Sequence, residues 1–183
     1  MKVDNPIVFV RADALSLQGR QSLGKTPNKI TNNKKQSNPL ELVCLHAAVA
    51  MGLAHDIREA AAYPARLPTL CWLGKPAAYR TSQGADIAAD AMDILAYHFS
   101  VGGRATEFDG SRSMALGLAA AIPGTIANEI ARTLPGIATR IGHAFGVLTV
   151  GADVSQDGNL WLAEKVTISR NARCLMSGWV HLG

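Results

Sequence analysis

The feature that most constrains this chain is a run of small and apolar residues at positions 111–122, SRSMALGLAAAI. A helix that is apolar on nearly every side has no face suited to water, so it belongs inside a domain. Pro123 and Gly124 end this helix, and Thr125 is placed to cap a second short helix that runs through Arg132. We therefore expect a domain whose other elements surround a central apolar helix.

Strand patterns lie on both sides of this helix. Residues 6–12 contain the apolar run IVFV, and residues 70–73 form a short apolar run bounded by prolines and a glycine. Residues 147–154 and 160–169 alternate between apolar and polar side chains. The Asp157-Gly158 pair between them is a strong signal for a β-hairpin.

Two further helices are predicted before the central one. Asn38 and Pro39 suit an N-cap and a first helical position, and Gly52 suits the end of that helix. Residues 86–100 are predicted to form an amphipathic helix that ends at Gly102 and Gly103. The apolar face of that helix would comprise Ile87, Ala91, Ile94, Leu95 and His98. Helices and strands together indicate an α+β domain.

The net excess of positive charge is confined to one segment. The formal net charge is +4, but residues 18–38 contribute +5 and the remainder −1. This polar segment predicts a flexible basic loop, and its lack of aromatic residues disfavours nucleic-acid binding. No apolar run reaches the roughly 18 to 20 residues of a membrane span. We expect a cytoplasmic protein whose cysteines, Cys44, Cys71 and Cys174, are reduced and buried.

Five segments, in order and in register, carry a resemblance to a known family. They are DNPIVFVRADALSLQG, LGKPAAYRTSQGADIAADAMDILA, AAAIPGTIAN, RIGHAFGVLTVGA and SRNARCLMSGWV. Together they resemble the C-terminal half of PrpF-like isomerases, the group that includes methylitaconate isomerase and oxalomesaconate tautomerase. The resemblance covers nearly the whole chain except the basic loop.

The resemblance implies a diaminopimelate epimerase-like fold, in which a curved, mostly antiparallel sheet wraps around a central apolar helix. Residues 1–183 would form one C-terminal-type domain of a two-domain isomerase, with the substrate between the domains. Residues 172–182 would be a final strand that completes the first domain. The implied activity is a shift of a proton or double bond on small unsaturated di- or tricarboxylates, without metal, nicotinamide or pyridoxal.

This chemistry requires a base, a proton donor, and groups that hold a growing negative charge. A helix N-terminus suits the last task, because its free N–H groups point at an anion. By resemblance, Gly110 and Ser111 match the family's Gly-Thr turn at the start of the central helix. The candidate substrate-binding residues are Gly110, Ser111, Arg112, Arg140, Gly142 and His143.

Of these, His143 is the candidate for catalysis, either by binding a carboxylate or by moving a proton. The plain alternative is a histidine that hydrogen-bonds to backbone, and Ser111 and Arg112 could equally be ordinary capping residues. The family's base and acid, a Lys and a Cys, are expected on the first domain. The resemblance also matches Arg170 and Arg173 to paired arginines in the family, for which we expect a structural role.

The chain departs from the family pattern at several positions. Glu107 and Asp109 precede the central helix and would repel a carboxylate, although Arg112 could compensate. Phe145 stands where the family has a serine, and Thr69 follows Pro68 where the family has a lysine.

Three hypotheses follow from the sequence. The first is an isomerase domain that acts with its N-terminal half. The second is a catalytically inactive, truncated paralogue that binds a small carboxylate or nothing. The third is an interaction module that pairs through the final strand and the basic loop, as a homo-oligomer or with another chain.

Overall fold

The computed structural model describes residues 6–13, 39–99, 110–134, 136–170 and 176–179. Its helices are α1 (Pro39–Ala50), α2 (Ile57–Ala62), α3 (Gly110–Ala121) and α4 (Ile126–Ala131). Its strands are β1 (Ile7–Arg11), β2 (Thr69–Gly74), β3 (Tyr79–Arg80), β4 (Asp86–Ile87), β5 (Ile94–Phe99), β6 (Thr139–His143), β7 (Gly146–Asp157) and β8 (Leu160–Ile168). Short 3₁₀ turns cover Pro64–Arg66 and Ala89–Ala91.

Six of these strands form one curled sheet in the order β1-β2-β5-β6-β7-β8. The pairs β1/β2 and β5/β6 are parallel, whereas β2/β5, β6/β7 and β7/β8 are antiparallel. Strands β3 and β4 pair separately as a small hairpin. The α+β class and the curved sheet around an apolar helix are confirmed, and the sheet is mixed.

Both faces of the sheet centre are covered, because successive side chains of a strand point to opposite faces. On β2, Cys71 and Leu73 join the core beneath α3 and α4, whereas Leu70 and Trp72 pack against α1. The Trp72 ring stacks on that of Tyr97, its partner on β5, with centroids 5.5 Å apart.

Helix α3 is the buried apolar helix that the sequence predicted. Leu116 and Ala120 are fully buried within the core under the sheet. The approach to β7 is close, since a Cβ atom on Gly117 would lie 2.3 Å from Cγ1 of Val150. Small residues in α3 therefore allow the sheet to curl around the helix.

The helix predicted for residues 86–100 is wrong. This segment contains β4, a 3₁₀ turn and β5. Strand β5 is buried on both faces, so its sequence ILAYHF lacks the polar alternation that marks a half-exposed strand. The spacing of its apolar residues is therefore also compatible with a helix. The segment forms a strand because it pairs with β2 and β6.

Most other predicted elements are confirmed. The hairpin of β7 and β8 turns at Gly158, which has a positive φ of 58°. Thr125 caps α4 by accepting a hydrogen bond from the Asn128 N–H at 3.1 Å. Helix α1 begins at Pro39, as expected. Among the described residues, no helix is long and apolar enough to span a membrane.

Several predictions fall on residues outside the described ranges. These include the basic loop at 18–38, the acidic residues before α3, the paired glycines at 102 and 103, Arg173 and Cys174. Of the predicted final strand at 172–182, residues 176–179 are described, and they have no regular secondary structure. Within this segment, Met176 and Trp179 are 88% and 97% exposed.

The contact between α3 and β7 gives a stability prediction. Replacing glycine by alanine in an ordinary helix is stabilising, but Gly117→Ala should lower the free energy of unfolding by about 1–3 kcal/mol through overpacking against Val150. Urea denaturation followed by circular dichroism would measure this. The matched control combines Gly117→Ala with Val150→Ala, which makes room for the new methyl group. The double variant should be more stable than the sum of the effects of the two single variants predicts. A neutral or stabilising Gly117→Ala would contradict the close contact.

Candidate functional site

The site is organised around the turn that joins β6 to β7. Strand β6 ends at His143, and β7 begins at Gly146. Within the turn, the Phe145 N–H donates a hydrogen bond to Nδ1 of His143 at 3.3 Å. A neutral imidazole that accepts at Nδ1 carries its proton on Nε2. His143 in its neutral form is therefore a hydrogen-bond donor through Nε2.

The charge state of His143 follows from its surroundings. Burial lowers the pKa of His143 below its ordinary value of 6.5, and the nearby positive charge of Arg170 lowers it further. Both effects disfavour the imidazolium, so the ring is neutral at neutral pH. In this neutral form Nε2 carries the proton, so this nitrogen can donate a hydrogen bond but cannot act as a base.

The start of α3 lies beside the same arginine. A Cβ atom on Gly110 would come within 2.7 Å of Nη2 of Arg170, so the glycine leaves room for the guanidinium. Ser111 is exposed and Arg112 is half-buried in the first turn. Within the part of the chain that the structure describes, no carboxylate lies within ion-pair distance of Arg170. The structure thus brings Gly110, Arg170 and His143 into one neighbourhood.

Arg140 has a different set of contacts. Its Nη2 lies 2.7 Å from Oδ1 of Asp93, its backbone N–H donates to Oδ2 at 2.7 Å, and its Nη1 donates to the Asp90 carbonyl at 2.7 Å. Burial alone would raise the pKa of Asp93, but the hydrogen bonds and charge of Arg140 bring it below its ordinary value. Substrate binding by Arg140 stays a prediction, and these contacts favour a role in joining β6 to β5.

Gly142 is buried, and the atoms around it leave no room for a side chain. A Cβ atom there would meet Sδ of Met92 at 2.5 Å and Cε1 of Tyr79 at 3.3 Å. The residue thus allows the Tyr79 ring to approach β6 closely. Its contribution to the site is space for this packing next to His143.

Two of the cysteines are buried, as the sequence predicted. Cys44 and Cys71 are buried free thiols. Burial, with a smaller effect of Glu41, raises the pKa of Cys44 to about 11. Burial also raises the pKa of Cys71, although Arg112 opposes the shift. Among the described residues, no three histidine, cysteine or carboxylate side chains gather as they would around a metal ion.

Arg170 also belongs to this neighbourhood, although the sequence analysis did not include it among the candidate binding residues. The only signal for Arg170 in the sequence was its place in the matched segment SRNARCLMSGWV. A structural role was expected for this arginine. Its proximity to Gly110 depends on the hairpin of β7 and β8 bringing the end of β8 back to the start of α3.

The electrostatic contact gives a testable consequence. Arg170→Gln should raise the pKa of His143, because it removes the positive charge that disfavours the imidazolium, while burial still holds the pKa below its ordinary value. The titration would be followed by NMR of the histidine side chains. Lys165→Gln, which removes an equal charge from exposed β8, is the matched control and should leave His143 unchanged. An unchanged titration in Arg170→Gln would show that the two side chains do not interact.

Comparison with known proteins places these features in a family. A chain named 2-methyl-aconitate isomerase from Shewanella oneidensis is 33% identical over 177 residues, covering 97% of this chain and 43% of that protein. A 3-methylitaconate isomerase from Eubacterium barkeri is 31% identical over 182 residues, and the match covers 98% of this chain and 46% of that protein. The chain therefore spans less than half the length of the curated relatives it matches.

A solved structure agrees with these relatives. The chain superposes on a crystal structure of methylitaconate-delta-isomerase with a TM-score of 0.68 and 27% identity, covering 97% of this chain and 48% of that one. The family model described as PrpF protein matches residues 1–183. The chain accordingly belongs to the PrpF family.

Proposed function

We propose that this chain forms the C-terminal-type half of a cofactor-independent isomerase. The reaction is a proton or double-bond shift next to a carboxylate on a small unsaturated di- or tricarboxylic acid. Membership of the PrpF family and the isomerase names of its relatives support this class of reaction. Because the chain spans under half of those relatives, we propose that activity requires a second half equivalent to their remaining length.

The single observation that carries the proposal is the position of Arg170 beside Gly110 at the start of α3. The first N–H groups of a helix have no partner within the helix, and the helix dipole favours an anion there. A guanidinium beside such an N-terminus supplies a charge and donors that match a carboxylate. We therefore propose that Arg170 and the first turn of α3 bind a substrate carboxylate.

The remaining candidates surround this binding position. Gly110 provides room for the guanidinium, and Ser111 and Arg112 contribute donors from the first turn. Gly142 allows the close packing that holds the next residue in place. His143, neutral and protonated at Nε2, donates a hydrogen bond to negative charge on the substrate.

This assignment separates two tasks of the reaction. Removing a carbon-bound proton next to a carboxylate produces negative charge, which fixed donors stabilise. The described residues of this chain supply such donors, whereas Cys44 and Cys71 are buried with raised pKa values and are poor bases or nucleophiles. We propose that the groups that remove and return the proton belong to the second half.

The test is a chimera in which this chain replaces the matching segment of the Shewanella oneidensis relative. The chimera should exchange hydrogen for deuterium in 2-methyl-aconitate or 3-methylitaconate in heavy water, as followed by proton NMR. The unmodified relative is the positive control, and the isolated chain should be inactive. Exchange by the isolated chain would show that it carries its own base. A folded chimera without exchange on either compound would contradict the isomerase proposal.

The role of Arg170 is tested in the same chimera. Arg170→Gln should raise KM about 10- to 100-fold, because a charge-assisted hydrogen bond to a carboxylate contributes about 1.5–3 kcal/mol. Lys165→Gln removes one positive charge from an exposed position and should leave KM unchanged. Equal effects of the two variants would mean that only net charge matters and that Arg170 does not contact the substrate.

A further inference from the structure

The hairpin of β3 and β4 lies against the turn that carries His143. The Tyr79 hydroxyl is 2.9 Å from the His143 carbonyl oxygen and 2.6 Å from that of Gly146, so its proton is shared between them. The backbone N–H of Ser82 donates to the Ala144 carbonyl at 2.8 Å, and the Ser82 hydroxyl donates to the same oxygen at 3.0 Å. Two residues of the hairpin thus bind three carbonyls of the turn.

The hairpin itself has a defined shape. The Thr81 N–H donates to the Ala85 carbonyl at 2.8 Å, and the Ala85 N–H donates to Oγ1 of Thr81 at 2.9 Å. Gly84 adopts a positive φ of 89°, and Nε of Arg80 donates to its carbonyl at 2.9 Å. These hydrogen bonds join the two sides of the hairpin to each other and do not involve the β6–β7 turn. The hydroxyls of Tyr79 and Ser82 are therefore presented in fixed directions.

The Tyr79 ring can reach the turn because Gly142 has no side chain. The nearest ring atom lies 3.3 Å from where a Cβ on Gly142 would be. Burial raises the pKa of Tyr79 to about 12, against the effect of its hydrogen bond to His143, so the hydroxyl keeps its proton and remains a donor. Its two acceptors lie at opposite ends of the turn, at the last residue of β6 and the first of β7.

We propose that Tyr79 is a positioning residue, which fixes the orientation of the His143 imidazole by tying both ends of the turn to the β3–β4 hairpin. The fixed spacing of the His143 and Gly146 carbonyls aligns the Phe145 N–H with Nδ1 of His143. That alignment selects the tautomer protonated at Nε2. The catalytic value of this orientation rests on the proposed function, in which Nε2 donates to the substrate.

The first test uses the isolated chain and no substrate, so it is independent of the proposed function. In Tyr79→Phe the ring remains but the turn loses its shared hydrogen bond, and the imidazole becomes better hydrated. The pKa of His143 should then rise towards its ordinary value, and a population protonated at Nδ1 should appear in ¹⁵N NMR spectra of the ring. Arg170, the charged side chain that lowers the pKa of the imidazole, is unchanged in this variant.

The matched control is Tyr97→Phe. Tyr97 is half-buried in β5 of the six-stranded sheet and stacks on Trp72, so this variant removes a tyrosine hydroxyl that lies outside both the β3–β4 hairpin and the turn. It should leave the titration and tautomer of His143 as in the parent chain. If Tyr79 had a merely structural role, Tyr79→Phe would lower the thermal midpoint and leave the titration and tautomer of His143 as in the parent chain, and that result would overturn the proposal.

A second variant keeps the proposal testable if Tyr79→Phe does not fold. Ser82→Ala removes one of the two hydrogen bonds to the Ala144 carbonyl and keeps the backbone bond. It should shift the tautomer and titration of His143 in the same direction by a smaller amount, and no shift would count against positioning by the hairpin.

In the active chimera, Tyr79→Phe should lower kcat/KM about tenfold, since small misplacements of a donor weaken transition-state binding. If kcat/KM were unchanged while the NMR titration was altered, the proposal that Tyr79 positions His143 would stand. The proposed role of His143 as a donor to the substrate would then be refuted.

Discussion

The close packing of α3 against the curled sheet is the contact on which the rest of the domain depends. At Gly117 the helix approaches Val150 of β7 so closely that even a methyl group would have no room. This approach fills the concave side of the sheet without large side chains, which explains why α3 consists of small residues. It also fixes the N-terminus of α3 relative to the end of β8, because Ile168 of β8 packs against the same core cluster as Leu116 and Ala120 of α3. The neighbourhood of Gly110 and Arg170 is a consequence of that packing.

Glycines contribute to the site in two different ways. Gly110 and Gly142 leave space for the side chains of Arg170 and Tyr79, respectively. Gly146 instead has a positive φ of 139°, which allows β7 to begin directly after the turn. A side chain at Gly110 or Gly142 would push its neighbour away, whereas a Cβ atom at Gly146 would meet nothing within 4 Å, so the constraint at Gly146 is its backbone conformation. At Gly142 the missing side chain leaves room for the Tyr79 ring, whose hydroxyl donates to the His143 carbonyl.

The sequence predicted elements whose pattern is set locally. The buried helix α3, the cap at Thr125 and the hairpin at Gly158 each follow from composition or turn chemistry within a few residues. Strand β5 was missed because burial on both faces removes the alternation that would identify it. The contacts of Tyr79 and Arg170 join residues far apart along the chain, so the sequence offered no local signal for them. Resemblance to the family found the segments that contain both residues but not which atoms they touch.

The tautomer of His143 limits the role that its ring can have in the proposed reaction. A ring that accepts at Nδ1 and is kept neutral by burial and Arg170 can stabilise charge, but its remaining nitrogen already holds a proton. A general base must have a free lone pair directed at the proton that it removes. His143 does not meet this condition unless the turn opens and releases Nδ1. Under the proposed function, the proton is therefore removed by a group outside the described residues, and the matched relatives are more than twice as long as the matched segment. We propose that this chain binds and stabilises the anion and that the additional length found in the relatives carries the groups that transfer the proton.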